Sequence, residues 1–230
     1  MMTKTWAEVW SFQEQLYSFF ANYLLEPVQE QNKEIVTEQF WRQFPLEAAN
    51  EQIMSGLEQL VNFTSKLDEQ DMINSIEEVN VEYTELFIGP GVPKSPPWES
   101  FYNTRKKLFF GTTAYVMKDL LSKQGLESKH SGRQPEDHLG LELLYLTVLT
   151  EQLHNEDIQR QVNIIKDQLA FMDEHLLSWI PNLYDDAKNN GSLGFYSGFI
   201  EIIWGTLLWD KELLEEFLAE YEGKEELLEK

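Results

Sequence analysis

No cysteine occurs anywhere in the 230-residue chain, which excludes disulfide scaffolds, thiolate nucleophiles and cysteine-held metal centres and fits a cytoplasmic protein. Basic side chains are scarce. Against 40 aspartates and glutamates stand 18 lysines and arginines, a formal charge of −22. Such a field repels nucleic-acid phosphates and anionic headgroups and favours basic partners, although a plain solubility charge accounts for it equally well. No apolar run approaches the roughly 18 residues of a membrane span, and the opening MMTKTWAEVWSF lacks the basic, apolar and small-residue order of a secretion signal. Alternating strand patterns and fixed-period repeats are missing too. With 42% hydrophobic and 13% aromatic residues the chain can still bury a sizeable core. Helices must build it.

The helical spacing is plain. Trp6, Val9, Trp10, Leu16, Tyr17, Phe20 and Leu24 share one face until Pro27 ends the run. Shorter helices follow near Ile35–Trp41 and over Ile53–Leu67, and Met72, Ile76, Val79, Tyr83 and Leu86 mark another. Phe109, Thr113, Val116 and Leu120 form the next face, and Leu139, Leu143, Leu146 and Leu153 the one after. The series Ile158 to Trp179 steps by fours and threes as far as Pro181; Phe195 to Trp209 begins the last core helix, and the acidic tail from Glu212 is expected to fray. This predicts an all-α domain over 1–230, a bundle of about eight to ten helices. The polar stretch Leu126–Gln134 is a candidate hinge within it.

Prolines are few, and half of the eight fall in one place: Pro90, Pro93, Pro96 and Pro97. Their segment, EYTELFIGPGVPKSPPWESFY over 82–102, can be neither helix nor interior strand. It nevertheless carries Leu86, Phe87, Ile88, Val92, Trp98 and Phe101, so it reads as a stiff, packed loop of the kind that presents a site. Trp98 is either a core residue or the aromatic wall of a groove. A second candidate is Gln134-Pro135-Glu136-Asp137-His138. Proline and acids suit the first turn of a helix; alternatively Asp137 sets a fixed anion beside an imidazole that titrates near its usual value of about 6.5. His138 and Glu142 have no second ligand pair, so no metal is expected. Phosphate-loop and nucleophile-elbow patterns are absent. Catalysis finds no constellation.

The ordered pattern Tyr83-x-x-Leu86-Phe87-x-Gly89-Pro90, then Pro96-Pro97-Trp98-Glu99-Ser100-x-Tyr102, then Glu136-Asp137-His138-Leu139, resembles the TorD/DmsD family. These are cytoplasmic chaperones for molybdenum oxidoreductases exported by the twin-arginine route. His175-Leu176-Leu177-x-Trp179-x-Pro181 and Phe195-Tyr196 look like the family's C-terminal landmarks, so the resemblance runs from about Trp10 to Trp209. It implies an all-helical protein that is not an enzyme and carries no cofactor. Such a protein binds the twin-arginine leader and apo form of a client, aids cofactor insertion and delays export. The leader-binding residues implied are Tyr83, Leu86, Phe87, Pro97, Trp98, Glu99 and Ser100 from the first motif, with Pro135, Asp137 and His138 from the second. Some relatives have tryptophan where this chain has Tyr83 and again at Gly91, which suggests a different client. Alternatives that the resemblance leaves open are an adaptor for a leaderless metalloenzyme and weak GTP binding; the chain is a monomer or a dimer swapped through 126–134.

A leader combines paired arginines with an apolar stretch, and here Glu99 and Asp137 are expected to take the guanidinium forks. Burying roughly 400 Å² of apolar leader supplies about 10 kcal/mol gross, against an association cost of about 4 to 15 kcal/mol. Micromolar affinity follows.

Overall fold

The computed structural model describes residues 5–67, 71–103, 109–128 and 134–228. Its α-helices run in chain order as α1 (Trp6–Leu25), α2 (Glu38–Arg42), α3 (Glu51–Leu67), α4 (Met72–Tyr83), α5 (Glu99–Asn103), α6 (Thr112–Lys123), α7 (Leu139–Leu153), α8 (Ile158–Phe171), α9 (Ile180–Asn190) and α10 (Phe195–Leu228). These ten match the expected all-α architecture, and no named strand occurs among the described residues. No helix among those residues is long and apolar enough to cross a membrane.

Local chemistry sets the helix starts. Thr5 and Glu8 close a capping box at α1, and the side chains of Asp71 and Asp157 accept first-turn N–H groups of α4 and α8. Packing then pairs elements distant in sequence: α1 lies along α7, and α3 along α10. Trp10, Leu16, Tyr17, Phe20 and Leu24 of α1 are buried, as are Leu139, Leu143, Leu146 and Leu153 of α7. Each such side chain contributes about 1.5–3 kcal/mol. Helices α3 and α10 touch backbone to backbone, because a Cβ on Gly56 would fall 2.8 Å from the Gly198 carbonyl oxygen. A similar approach positions the site. A Cβ on Gly140 would sit 2.6 Å from Leu25 Cγ, so glycine lets the start of α7 press against the end of α1.

Three expectations need correction. The Ile158–Trp179 series is not one run: α8 stops at Phe171, one π-helical turn spans Met172–Leu176, and Pro181 opens α9 rather than ending its predecessor. A first-turn position leaves the missing proline N–H without consequence. The C-terminal tail does not fray at Glu212. Helix α10 continues to Leu228, and Leu214 and Phe217 are buried, with the Phe217 ring against Trp6 at 5.1 Å and Trp10 at 5.4 Å. Finally, Pro135, Glu136 and Asp137 are not in a first helical turn, since His138 is the N-cap of α7 and they precede it. Of the expected hinge, 129–133 lies outside the described residues.

Candidate functional site

Helix α4 hands over at Tyr83 to a π-helical turn, Thr84–Ile88, which ends at Gly89 with a φ of +52°. A side chain there would be strained, so glycine makes the turn. The loop then folds back: the Ser95 N–H donates to the Leu86 carbonyl at 2.8 Å. Past the buried Pro96 and Pro97, Trp98 pairs with His138 in a short antiparallel bridge. Two bonds flank that bridge. The Glu99 N–H donates to the Asp137 carbonyl and the Leu139 N–H to the Pro97 carbonyl, both at 2.9 Å. The Trp98 and His138 rings meet edge to face with centroids 5.3 Å apart, and Phe109 braces the indole at 5.6 Å. The two sequence motifs thus lie side by side, strapped by backbone.

Beneath the strap lies a buried polar layer. Asp137 is 0% exposed; its Oδ2 accepts from the Ser100 N–H at 2.7 Å and the Thr113 hydroxyl at 2.6 Å. Burial pushes its carboxyl up despite these bonds. Glu99, 1% exposed, accepts from the Asn103 amide at 2.7 Å and pairs with His175 Nδ1 at 2.9 Å. That pairing raises the His175 pKa. Glu142, 0% exposed, faces Glu99 and Asp137; burial first, then their charges, hold its pKa well above the carboxylate range, so it carries its proton. The expectation that Glu99 and Asp137 present open forks for guanidinium groups therefore meets a structural obstacle: both are committed inside the protein.

His138 also departs from its expected chemistry. Burial lowers its pKa from 6.5 to about 3, so the ring is neutral at physiological pH and not a pH-sensitive contact. Its Nδ1 accepts the Gly140 N–H at 3.0 Å, capping α7. The proton of the neutral ring is therefore on Nε2.

Above this layer a groove of about 430 Å³ opens between the end of α1, the π turn, the strap and α7. Of the ten residues singled out in the sequence, it is lined by Tyr83, Phe87, Trp98, Pro135 and His138. Leu86, Pro97, Glu99, Ser100 and Asp137 lie behind its wall. Tyr83 donates its hydroxyl to the Leu24 carbonyl at 3.1 Å and so ties the wall to α1. Sequence reasoning missed Leu25 and Glu26 at the end of α1, Glu127 beyond α6, and Leu141 and Leu144 on α7. Pro27, which stops α1, was the available signal that a helix end sits near the site. A second cavity of similar volume, walled by Phe12, Phe19, Phe40 and Phe44, has no charged residue among the described residues that line it. No group of three or more potential metal ligands is found among the described residues.

The fold and site define an all-helical domain in which a proline-rich loop, strapped to a helix start, leaves an aromatic groove of ligand-sized volume. A family model described as "nitrate reductase delta subunit" matches residues 46–185, taking in both motifs. The protein named "Chaperone protein TorD" of Vibrio cholerae is 28% identical over 174 residues, covering 75% of this chain and 78% of the relative. Its namesake in Vibrio vulnificus is 27% identical over 169 residues, 73% of this chain and 77% of the relative. That of Aliivibrio salmonicida is 29% identical over 140 residues, 60% and 64% respectively. The chain belongs to this nitrate reductase delta subunit family, the TorD/DmsD group of chaperones.

Proposed function

We propose that this protein is a cytoplasmic maturation chaperone: it binds the twin-arginine leader and apo form of a molybdenum oxidoreductase, favours cofactor insertion and delays export. It acts by holding its client and not by catalysis. The observation that carries this reading is the groove, because residues from both motifs, Tyr83, Phe87 and Trp98 from one and Pro135 and His138 from the other, converge on one apolar-walled cleft. A volume of about 430 Å³ suits a few apolar side chains of an extended or helical segment, not a folded domain.

The test is calorimetric titration with a synthetic leader containing an arginine pair and an apolar stretch. Micromolar binding is expected, weakening with salt as the long-range attraction is screened over about 8 Å. Ile88 and Leu144 line the groove and are not fully buried. Ile88→Asn with Leu144→Asn should lower affinity at least about tenfold while circular dichroism stays that of the parent. Unchanged affinity in that double variant would remove the groove from the reading.

A further inference from the structure

Glu99, Asp137 and Glu142 reach one buried place from three elements: the start of α5, the strap and the first turn of α7. Each has a chain neighbour on the groove wall, Trp98, His138 and Leu141 respectively. A shift of the acids is therefore a shift of the wall.

One imidazole answers them. His175, on the π-helical turn Met172–Leu176, sets its Nδ1 2.9 Å from Glu99 Oε2, and no lysine or arginine among the described residues faces the cluster. Glu174 and Asp137 add negative charge around the ring, and Phe171 lies beside it with centroids 5.1 Å apart. The other partners are neutral: Asn103 on Glu99, Ser100 and Thr113 on Asp137, and the Trp179 indole beside Glu142. That indole gives its N–H to the His175 carbonyl, and neither Glu142 oxygen has a hydrogen-bond partner among the described residues. Three acids thus depend on a single group able to carry positive charge. The His175 side chain is 16% exposed and that of Glu99 2%, so solvent protons reach the base and not the acid.

We propose that His175 is a proton switch beneath the groove: with its proton it pins Glu99 and keeps the strap closed, and without it the buried acids repel one another and the strap loosens. This rests on the groove being the leader site and gives that site a regulator. An occupant that selects the closed strap takes up a proton on binding and binds less well as pH rises. The surroundings fix the direction. The bond to Glu99, opposed by burial and aided by the charges of Glu99, Glu174 and Asp137, raises the His175 pKa from 6.5. The pinned form is therefore complete below about 6.5 and is lost as pH climbs through the folded value. Glu142, which burial keeps protonated, acts with the same sign.

Hydrogen exchange with the full chain tests the switch without any peptide. Protection of the Glu99 and Leu139 N–H groups, which close the strap, is corrected for intrinsic rate and compared with amides in the middle of α3. It should fall about threefold or more from about pH 6 to about pH 8.5. In His175→Asn, which keeps a donor for Glu99 and cannot titrate, it should stay level. Glu99→Gln removes the anion and should move the fall to lower pH. Calorimetric titration then reads the link to the groove, with a capped synthetic leader that holds an arginine pair and an apolar stretch and nothing that titrates in this range. Affinity for the parent should fall about threefold or more over the same interval, with proton uptake on binding, and both effects should vanish in His175→Asn. Level protection in the parent, or a fall that survives in His175→Asn, overturns the switch whether or not the leader binds. A fall in protection beside pH-independent affinity overturns its link to the groove. If protection falls as expected and the leader binds at no pH, the leader reading fails and the switch stands as a property of the strap.

Discussion

Asp137 Oδ2 accepts from the Ser100 N–H and the Thr113 hydroxyl, and the Asp137 carbonyl accepts from Glu99. One residue therefore ties the proline loop, α6 and the approach to α7 together. Asp137→Ala leaves a buried N–H and a hydroxyl without their acceptor, and stability should fall by about 2–4 kcal/mol in urea denaturation. Affinity for the synthetic leader, measured well below the melting range, should change far less than in the Ile88/Leu144 variant. By residue type alone Glu99 and Asp137 read as first-turn acids, and the family resemblance is what made them and His138 legible as site residues. It did not make their depth legible. A carboxylate beside a helix start has the same local sequence whether it faces solvent or the Ser100 amide, and only the packing of α5 and α6 over it decides. Glu26 and Glu127, in turn, are ordinary surface acids in an acidic chain, and their position on the groove is a tertiary fact.

At the scale of elements, the start of α10 is held by a residue far away in sequence. Glu82, in the last turn of α4 and 0% exposed, accepts from the N–H groups of Leu193 and Gly194 at 2.8 and 2.7 Å through Oε1, and from Tyr196 at 3.0 Å through Oε2. A carboxylate meeting the Tyr196 N–H in the first turn and the Leu193 and Gly194 N–H groups just before it is favourable twice over, through hydrogen bonds and the positive end of the helix. Glu82→Ala should cost about 3 kcal/mol or more, read as an earlier unfolding midpoint in guanidinium, and Glu82→Gln should cost less. The helices were largely legible, since apolar spacing of 3.6 is dictated by which face must be buried. Their joints were not. The π turns at 84–88 and 172–176 follow their α-helices with helical backbone throughout, so the apolar spacing runs on past the point where the α-helix ends. Glu82 was passed over because a single acid on an apolar face looks like noise until its partners, some 110 residues later, are in place.

Across the whole molecule, burial has placed several protons where they matter for stability. Asp210, in the contact between α10 and α1, is 0% exposed and faces Gln13 and Tyr17; burial raises its pKa from 3.8 to about 7. Glu142 is raised likewise by burial, and His175 by its bond to Glu99. All three signs agree. Each group binds its proton more tightly folded than unfolded, so each stabilises the fold at low pH: the Asp210 contribution fades as pH climbs from about 4 to about 7, and that of His175 is lost as pH rises through its folded value. The melting temperature should therefore be higher at pH 5.5 than at pH 8. Asp210→Asn should narrow the difference by about 2 kcal/mol, or roughly 4–8 °C.

Helix α10 follows every other described helix in sequence and is also the one that covers α3 and contacts α4, α8 and α9. During synthesis, the partners of α10 are made before Phe195 to Phe217 are available to seal them. The nascent chain must wait with Ile53, Leu60 and the aromatic residues of α2 uncovered, and at about 5–20 residues per second that wait lasts seconds. A member of a chaperone family thus passes through a stage in which its own apolar surface needs cover.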